Sequence, residues 1–300
     1  MVRSGRHHDV RSFGVVTPSF ARDFETCREL NASVLEFVPA PNRHYIIVDR
    51  RDLALFRTLE NDRTVVMAVE DVIPSGFFKV PGSKKWWVST RAMMPTKGWH
   101  VQQLVKLCAV NVTDEPVLVN VDSDVRFIRP VDTSLFIKGD RVRMYRLSNG
   151  VKPGMVHVKW HKTISGLLDV PADPMPVDDY TGNIITWKRS LVFEACKRIE
   201  DVAGCPWHVA FTRAWSVAEY FTYGLYVDKV KGLDAASLWI DERSWCHTYW
   251  GPGPLPASKI DEFVDALPDD DFAFSIGGYT NTDPEVTRKA TERAVRRARA

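Results

Sequence analysis

The middle of the chain contains the stretch Pro116-Val117-Leu118-Val119-Asn120-Val121-Asp122-Ser123-Asp124. A short run of Val and Leu after a proline is typical of a buried interior strand. Two carboxylates follow at its carboxyl end, which is the edge where open α/β sheets bind ligands. Carboxylate oxygens at this spacing suit Mg²⁺ or Mn²⁺, and such an ion suits a diphosphate. We therefore predict a metal site with Asp124 as a direct ligand and Asp122 shared between metal and ribose.

The sequence before this stretch alternates between strand and helix patterns. Strands are predicted at residues 12–17, 44–48 and 64–69. Helices are predicted at residues 21–37, 52–59 and 99–112. The alternation indicates an α/β fold, a single domain with a doubly wound, mostly parallel central sheet flanked by helices. Residues 71–95, rich in Gly, Pro, Lys and Trp, are predicted to form a long loop.

The second half of the chain has a less regular pattern. Strands are predicted at residues 142–147, 155–160 and 183–187, and helices at 191–202 and 284–300. The last helix carries a cluster of arginines. Contact with anionic lipid is one interpretation of that charge, and a solvated terminal helix is the favoured one.

Composition excludes several classes of protein. With 300 residues and 45% apolar content the chain can bury a full core, and a net charge of +2 does not indicate nucleic-acid binding. No apolar run reaches the 18 residues of a membrane span, and residues 1–11 are polar rather than a signal peptide. The five cysteines are scattered without a C-x-x-C pair. They favour a reducing cytoplasm over a disulfide framework or zinc site. We expect a cytoplasmic protein, with a peripheral position at the inner membrane face as the alternative.

Polar residues near the predicted strand ends are candidates for binding a nucleotide. Thr17 and Pro18 end the first strand and Asp49 ends the second, so they are expected to border a nucleotide site, where Asp49 accepts bonds from a base or ribose. Gln103 and Lys106 share one face of the helix before the Asp pair. That face is expected to meet the donor, with Lys106 on the diphosphate; a solvated helix face is the alternative.

Three later residues are candidates for the acceptor side or for catalysis. Asp179 lies before a Gly turn, and Glu219 lies in an aromatic segment where an unpaired carboxylate is costly. His247 lies among aromatic residues and is expected either to reach the metal or to be an ordinary core or rim histidine.

Two other interpretations fit an Asp-X-Asp sequence. The pair is also compatible with a simple strand cap or a surface turn. The nucleophile loop of haloacid-dehalogenase-type phosphatases also contains Asp-X-Asp, but it normally has Thr or Val where this chain has Arg126. It also normally follows the first strand of its domain, whereas this pair follows the fourth. The phosphatase interpretation is therefore the weaker one.

Several motifs together resemble a bacterial domain-of-unknown-function group related to GT-A-fold glycosyltransferases. The matching residues are Val16-Thr17-Pro18-Ser19-Phe20 with Asp23, the strand ending in Asp49, Gly98-Trp99 with Gln102-Gln103 and Lys106, Asp122-Ser123-Asp124 with Phe127 and Pro130, Gly182-Asn183, and Glu219-Tyr220 before Tyr223-Gly224. The Gly-Trp-x-x-Gln-Gln-x-x-Lys block is the most specific of them.

The resemblance implies a nucleotide-sugar-binding half over residues 12–130, with Ser123 in the donor site. It implies an acceptor-binding half over 131–283, followed by the basic tail 284–300. In some retaining members of that class a late histidine completes the metal site, which is why His247 is retained. The chain lacks the His-X-X-Gly-X-X-Lys-Pro-Trp block of the glycogenin-like branch.

The resulting hypothesis is a Mn²⁺- or Mg²⁺-dependent glycosyltransferase. It would use a UDP- or GDP-linked sugar donor and a glycan, glycolipid or small-molecule acceptor. Lys106 would offset charge on the leaving diphosphate, and Glu219 or Asp179 would act as base if the reaction inverts configuration. The alternatives are a nucleotidyltransferase and a non-catalytic carbohydrate-binding protein. A nucleotidyltransferase normally has a Gly-rich basic loop after its first strand, where this chain has Thr17-Pro18-Ser19-Phe20.

Overall fold

A computed structural model describes residues 12–83 and 86–299 of the chain. Residues 1–11, which were predicted not to be a signal peptide, lie outside the described residues. The strands are β1 (Phe13–Pro18), β2 (Arg43–Val48), β3 (Thr64–Ala68), β4 (Phe77–Lys79), β5 (Trp86–Ser89), β6 (Met94–Lys97), β7 (Val117–Val121), β8 (Val125–Phe127), β9 (Ile137–Lys138), β10 (Arg141–Tyr145), β11 (Leu147–Val151), β12 (Val177–Asp179), β13 (Ile184–Lys188), β14 (Leu238–Asp241), β15 (Cys246–Tyr249) and β16 (Ala273–Ile276).

The helices alternate with these strands in the first half and cluster in the second. They are α1 (Phe24–Phe37), α2 (Leu53–Phe56), α3 (Val69–Val72), α4 (Gly98–Cys108), α5 (His157–Leu168), α6 (Arg189–Ala203), α7 (Trp207–Arg213), α8 (Glu219–Tyr226), α9 (Leu233–Ala236), α10 (Ile260–Asp265) and α11 (Pro284–Arg299).

The central sheet has the strand order β13-β7-β1-β2-β3. β7, β1, β2 and β3 run parallel, and β13 joins β7 antiparallel at the edge. Every residue of β1 and β7 is buried, which explains their mostly apolar sequences, because helices cover both faces of such sheets. The predicted α/β class with a mostly parallel central sheet flanked by helices is confirmed. The carboxyl ends of β1, β2 and β7 consequently meet at one edge.

The core connects the two halves of the chain. One cluster of buried apolar side chains extends in sequence from Phe13 to Ala273. A second, smaller cluster lies between β16, α10 and α11 and includes Phe274 and Ala290. Arginines of α11 form ion pairs with nearby acids, among them Arg293 with Asp261, which favours a solvated helix over a lipid-binding one.

The segment 71–95 is not the long loop that its composition predicted. It contains β4 and β5, which with β6 form an antiparallel sheet. Trp87 and Ser89 are buried whereas Trp86 and Val88 are exposed, which is the alternation of a half-buried strand. The Gly, Pro and Lys residues around this short alternation obscured it in the sequence.

The strand predicted at residues 155–160 is also wrong, because α5 begins at His157. The residues that α5 buries are His161, Ile164, Ser165 and Leu168. Their spacing of three and four is helical, but it becomes visible only beyond Trp160.

Within the described ranges, no helix is long and apolar enough to cross a membrane.

Candidate active site

A buried lysine connects the Asp motif to the second half of the chain. Lys106 on α4 is 6% exposed, and its Nζ lies 3.0 Å from Asp122 Oδ1 and 3.1 Å from Glu219 Oε1. The same Nζ donates a hydrogen bond of 2.8 Å to the Tyr220 hydroxyl. We call these four residues the Lys106 cluster. Two carboxylates face one ammonium, so the cluster is formally negative.

The electrostatics of the cluster keep Lys106 charged. Burial alone disfavours the ammonium and lowers its pKa, but the charges of Asp122 and Glu219 outweigh that effect, and the pKa lies well above the usual value. The structure therefore pairs this ammonium with protein carboxylates, whereas the sequence predicted that it would face a diphosphate.

Gln103 holds the first turn of α8. It lies one turn before Lys106, is buried, and accepts the backbone N–H of Glu219 through Oε1 at 3.0 Å. This bond satisfies one of the free N–H groups at the start of α8. Gln103 thus positions Glu219 for its contact with Lys106, and its neighbour Gln102 faces the cavity described below.

The two carboxylates of the Asp motif have different surroundings. The Asp122 side chain is 50% exposed, so one of its oxygens remains available beside the contact with Lys106. Asp124 is partly buried, and its Oδ2 accepts the Gly278 N–H at 2.8 Å. Burial, reinforced by the charge of Asp122, raises the pKa of Asp124 to about 6, although the Gly278 bond opposes this. Ser123 lies between them and is partly exposed.

The raised pKa of Asp124 predicts a measurable gain in stability on neutralisation. The carboxyl ionises near pH 6 in the folded protein and near its ordinary 3.8 in the unfolded chain. Its charge therefore opposes folding at pH 7, and that cost fades as the pH falls from 6 to 4. Asp124→Asn is expected to raise the free energy of unfolding by about 2 kcal/mol at pH 7 and by no more than about 0.5 kcal/mol at pH 4.

Chemical denaturation at both pH values measures this difference. Asp140→Asn, at an exposed acid, is the matched control and should change little at either pH. Equal stability of Asp124→Asn and wild type at pH 7 would contradict the pKa assignment.

The structure does not bring His247 to the Asp motif. Its Nε2 lies 2.8 Å from the Phe263 carbonyl oxygen, and because a carbonyl only accepts, Nε2 carries the proton. The ring stacks on Phe263 at 4.5 Å. Successive side chains of a strand point to opposite faces, so His247 and Thr248 face in opposite directions. Thr248 accepts a hydrogen bond from the Asn183 amide on the face that His247 does not share. His247 is therefore not retained as a metal ligand.

A cation at the Asp motif would have the carboxylates of Asp122 and Asp124 as its protein ligands. No group of three or more His, Cys, Asp or Glu side chains able to hold a metal is present within residues 12–83 and 86–299. Mg²⁺ and related ions are commonly held by one or two carboxylates, with substrate phosphates and water completing the shell. The two aspartates fit that mode of binding and do not fit a fully protein-ligated site.

A cavity of about 760 Å³ lies at the carboxyl ends of β1 and β2, and we call it the strand-end cavity. The small sheet β4-β5-β6 forms one of its walls. Its lining combines apolar, aromatic and charged groups: Pro18, Asp49, Lys79, Trp87, Lys97, Trp99 and Gln102. A cavity of this size and mixed character suits a ligand as large as a nucleotide.

Two residues predicted at this edge behave differently. Asp49 lines the cavity, and its carboxylate forms ion pairs with Lys79 and with Arg51 at 3.2 Å. Thr17 is fully buried, and its hydroxyl lies 3.0 Å from Nε2 of His44. Thr17 therefore faces His44 and does not line the cavity, whereas Pro18 does.

Asp179 meets a residue that sequence reasoning missed. Its Oδ2 lies 2.8 Å from Nδ1 of His157, and its Oδ1 accepts the Thr181 N–H at 2.9 Å. His157 went unnoticed because its segment was interpreted as a strand, although a helix that starts at residue 157 places it in the first turn. Lys79 was missed in the same way, inside the segment predicted to be a loop.

The fold and site define an α/β protein with a carboxylate pair and a nucleotide-sized cavity at the carboxyl edge of its sheet. The chain belongs to the family described as "Family of unknown function (DUF6492)", whose model matches residues 12–246. No curated protein matches the sequence significantly.

Among solved structures, the chain is similar to the crystal structure of mouse xyloside xylosyltransferase 1 in its apo form. The TM-score is 0.46 and the sequence identity 10%, over 90% of this chain and 99% of that one. Similarity at this distance does not transfer an activity.

Proposed function

We propose that this protein is a metal-dependent glycosyltransferase that moves a sugar from a nucleoside diphosphate donor to a carbohydrate or glycolipid acceptor. The observation that carries the proposal is the placement of Asp122 and Asp124 at the same sheet edge as the strand-end cavity. In open α/β sheets this edge is the usual ligand site.

Each part of the donor has a complementary group in the protein. The strand-end cavity offers aromatic and basic side chains to a base and ribose, with Asp49 as an acceptor for hydroxyl groups. Asp124 and the free oxygen of Asp122 would hold Mn²⁺ or Mg²⁺ against the diphosphate. When bound, that cation supplies Lewis-acid neutralisation of the leaving group.

The Lys106 cluster has a supporting role in this proposal. Its ammonium fixes the orientation of Asp122 and shields it from the charge of Glu219. The remaining negative charge of the cluster and of Asp124 favours a divalent cation beside them. Glu219, with a side chain only 6% exposed, is too enclosed to meet an acceptor hydroxyl.

Donor hydrolysis tests the proposed function. Purified protein is incubated with a panel of UDP- and GDP-sugars with Mn²⁺, and release of nucleoside diphosphate is followed. We expect slow Mn²⁺-dependent release from at least one donor, abolished by Asp124→Ala and by chelator. Asp140→Ala, at an exposed acid, is the matched control and should retain the wild-type rate.

The outcomes separate the competing functions. Release that persists in Asp124→Ala would contradict the metal site. Donor binding without release would indicate a carbohydrate-binding protein, and release of pyrophosphate from a nucleoside triphosphate would indicate a nucleotidyltransferase. A donor at 100 times its Kd should stabilise the fold by about 2.7 kcal/mol, so thermal shift detects binding independently.

A further inference from the structure

The two carboxylates first considered as general bases are both occupied. Glu219 contacts the ammonium of Lys106 at 3.1 Å. Asp179 uses one oxygen for His157 and the other for the Thr181 N–H. A base for an acceptor hydroxyl needs a free lone pair that solvent or substrate can reach. Neither carboxylate meets that requirement well.

His157 does meet it. The carboxylate of Asp179 can only accept, so Nδ1 of His157 carries the proton and Nε2 of the neutral ring has the lone pair. The side chain is 18% exposed. Nε2 has no hydrogen-bond partner in the described part of the chain and is not buried. The ring thus presents an accessible proton acceptor.

Aromatic packing fixes the ring in this orientation. His157 stacks on Trp160, with ring centroids 4.5 Å apart and planes 20° apart. The ring of Phe221 meets it edge-on at 6.0 Å and 75°. With Asp179 holding Nδ1, these two aromatic neighbours restrict rotation of the imidazole.

Stacked rings connect the His157–Asp179 pair to the wall of the strand-end cavity, and α8 and β13 connect it along the chain to the Lys106 cluster and the Asp motif. Trp160 stacks on Trp99, a lining residue of the cavity, at 5.5 Å. Phe221 follows Glu219 by two residues on α8. Along the chain, β13 begins at Ile184, five residues after Asp179, and Ile184 pairs with Val121 directly before Asp122.

We propose that His157 is the general base that activates the acceptor, with Asp179 as its positioning residue; this proposal rests on the proposed glycosyltransferase function. Nε2 takes the proton of the acceptor hydroxyl. The acceptor oxygen forms its bond to the anomeric carbon as the bond from that carbon to the diphosphate oxygen breaks, and the diphosphate leaves with the electron pair. The imidazolium that forms is stabilised by Asp179. Attack from the side opposite the leaving group inverts the anomeric configuration.

Kinetics of donor hydrolysis, with water as the acceptor, test the role of His157. His157→Gln is expected to lower kcat for nucleoside diphosphate release from the UDP- and GDP-sugar panel by about 10²- to 10⁴-fold with KM unchanged. Imidazole added to His157→Ala should restore part of the rate. Asp179→Asn should also lower kcat, and Asp179→Glu should recover part of it. Asp178→Asn, the adjacent acid, is the control and should match wild type.

A spectroscopic measurement does not depend on turnover. Long-range ¹H–¹⁵N correlation spectra should show His157 as the Nδ1–H tautomer in wild type, and Asp179→Asn should shift the ring toward the Nε2–H form. The Nε2–H tautomer in wild type would overturn the proposal.

The kinetic outcomes distinguish the two proposals. Wild-type turnover together with an undiminished kcat in His157→Gln would overturn the role of His157 and leave the glycosyltransferase function standing. A raised KM with unchanged kcat would make His157 a binding residue and overturn its role as base. Retention of the anomeric configuration in the released sugar would also overturn the role of His157 as base, because the proposed attack inverts that configuration. A wild-type protein that turns over none of the donors would overturn both proposals.

Discussion

Lys106→Met is expected to lower the free energy of unfolding by about 3–5 kcal/mol, the usual cost of removing one partner from a buried charge cluster. Methionine keeps the length and apolar stem of the side chain but removes the ammonium that separates Asp122 from Glu219. The buried Glu219 carboxylate then loses its counter-charge, and the Tyr220 hydroxyl loses its donor. Either Glu219 takes up a proton or the first turn of α8 moves.

Urea denaturation at pH 7 measures this loss. Lys162→Met, at an exposed lysine of α5, is the matched control and should stay within about 0.5 kcal/mol of wild type. The double variant Lys106→Met/Glu219→Gln should recover part of the stability, because a neutral amide needs no counter-charge. A loss below about 1 kcal/mol in Lys106→Met would show that the ammonium of Lys106 is not a necessary counter-charge for the buried carboxylate of Glu219.

Arg143→Met is expected to lower the free energy of unfolding by a similar 3–5 kcal/mol. Arg143 is fully buried on β10, and burial lowers its pKa while Asp241 counteracts that effect. Its guanidinium bonds Asp241 at 2.8 Å, the Ile184 carbonyl at 2.9 Å and the Arg243 carbonyl. Without it, one carboxylate and two carbonyl groups lose a charged donor, which no methionine atom replaces.

Arg141→Met provides the control for this variant. Arg141 lies two residues earlier on the same strand, its side chain is about half exposed, and it bonds the Leu238 carbonyl. Its replacement should cost no more than about 1 kcal/mol. Hydrogen exchange adds a local readout: the β13 amides should exchange faster in Arg143→Met, because the Ile184 carbonyl loses its anchor. Unchanged exchange of the β13 amides together with wild-type stability in Arg143→Met would show that Arg143 does not anchor β13.

The parts of the fold that the sequence predicted share one property, which is that their signal is local. The parallel strands β1, β2, β3 and β7 each show as a short, mostly apolar run, and α1, α4 and α6 show helical spacing. The failures occurred where the local signal was mixed. In β5 an alternation of four residues was hidden among Gly, Pro and Lys, and in α5 the helical period began only after the segment that was interpreted.

In the candidate site, too, the sequence predicted features with a local signal and missed those that depend on distant segments. Asp122, Asp124, Pro18 and Asp49 were expected at the carboxyl edge because strand ends can be located from pattern, and the structure places them there. Their charge partners were not predictable. Gln103 and the N–H of Glu219 lie 116 positions apart in the sequence, and no periodicity connects them.

By itself, therefore, the sequence determined a parallel-rich α/β sheet and two carboxylates at the edge where such sheets bind ligands. Only the tertiary structure decided which side chains pair there. It assigned Lys106 to Asp122 and Glu219, joined His157 to Asp179, and turned His247 toward Phe263. The physical reason is that apolar periodicity reports the burial of one segment at a time. An ion pair or an oriented imidazole instead depends on contacts between segments far apart in the chain, which exist only when the core has closed.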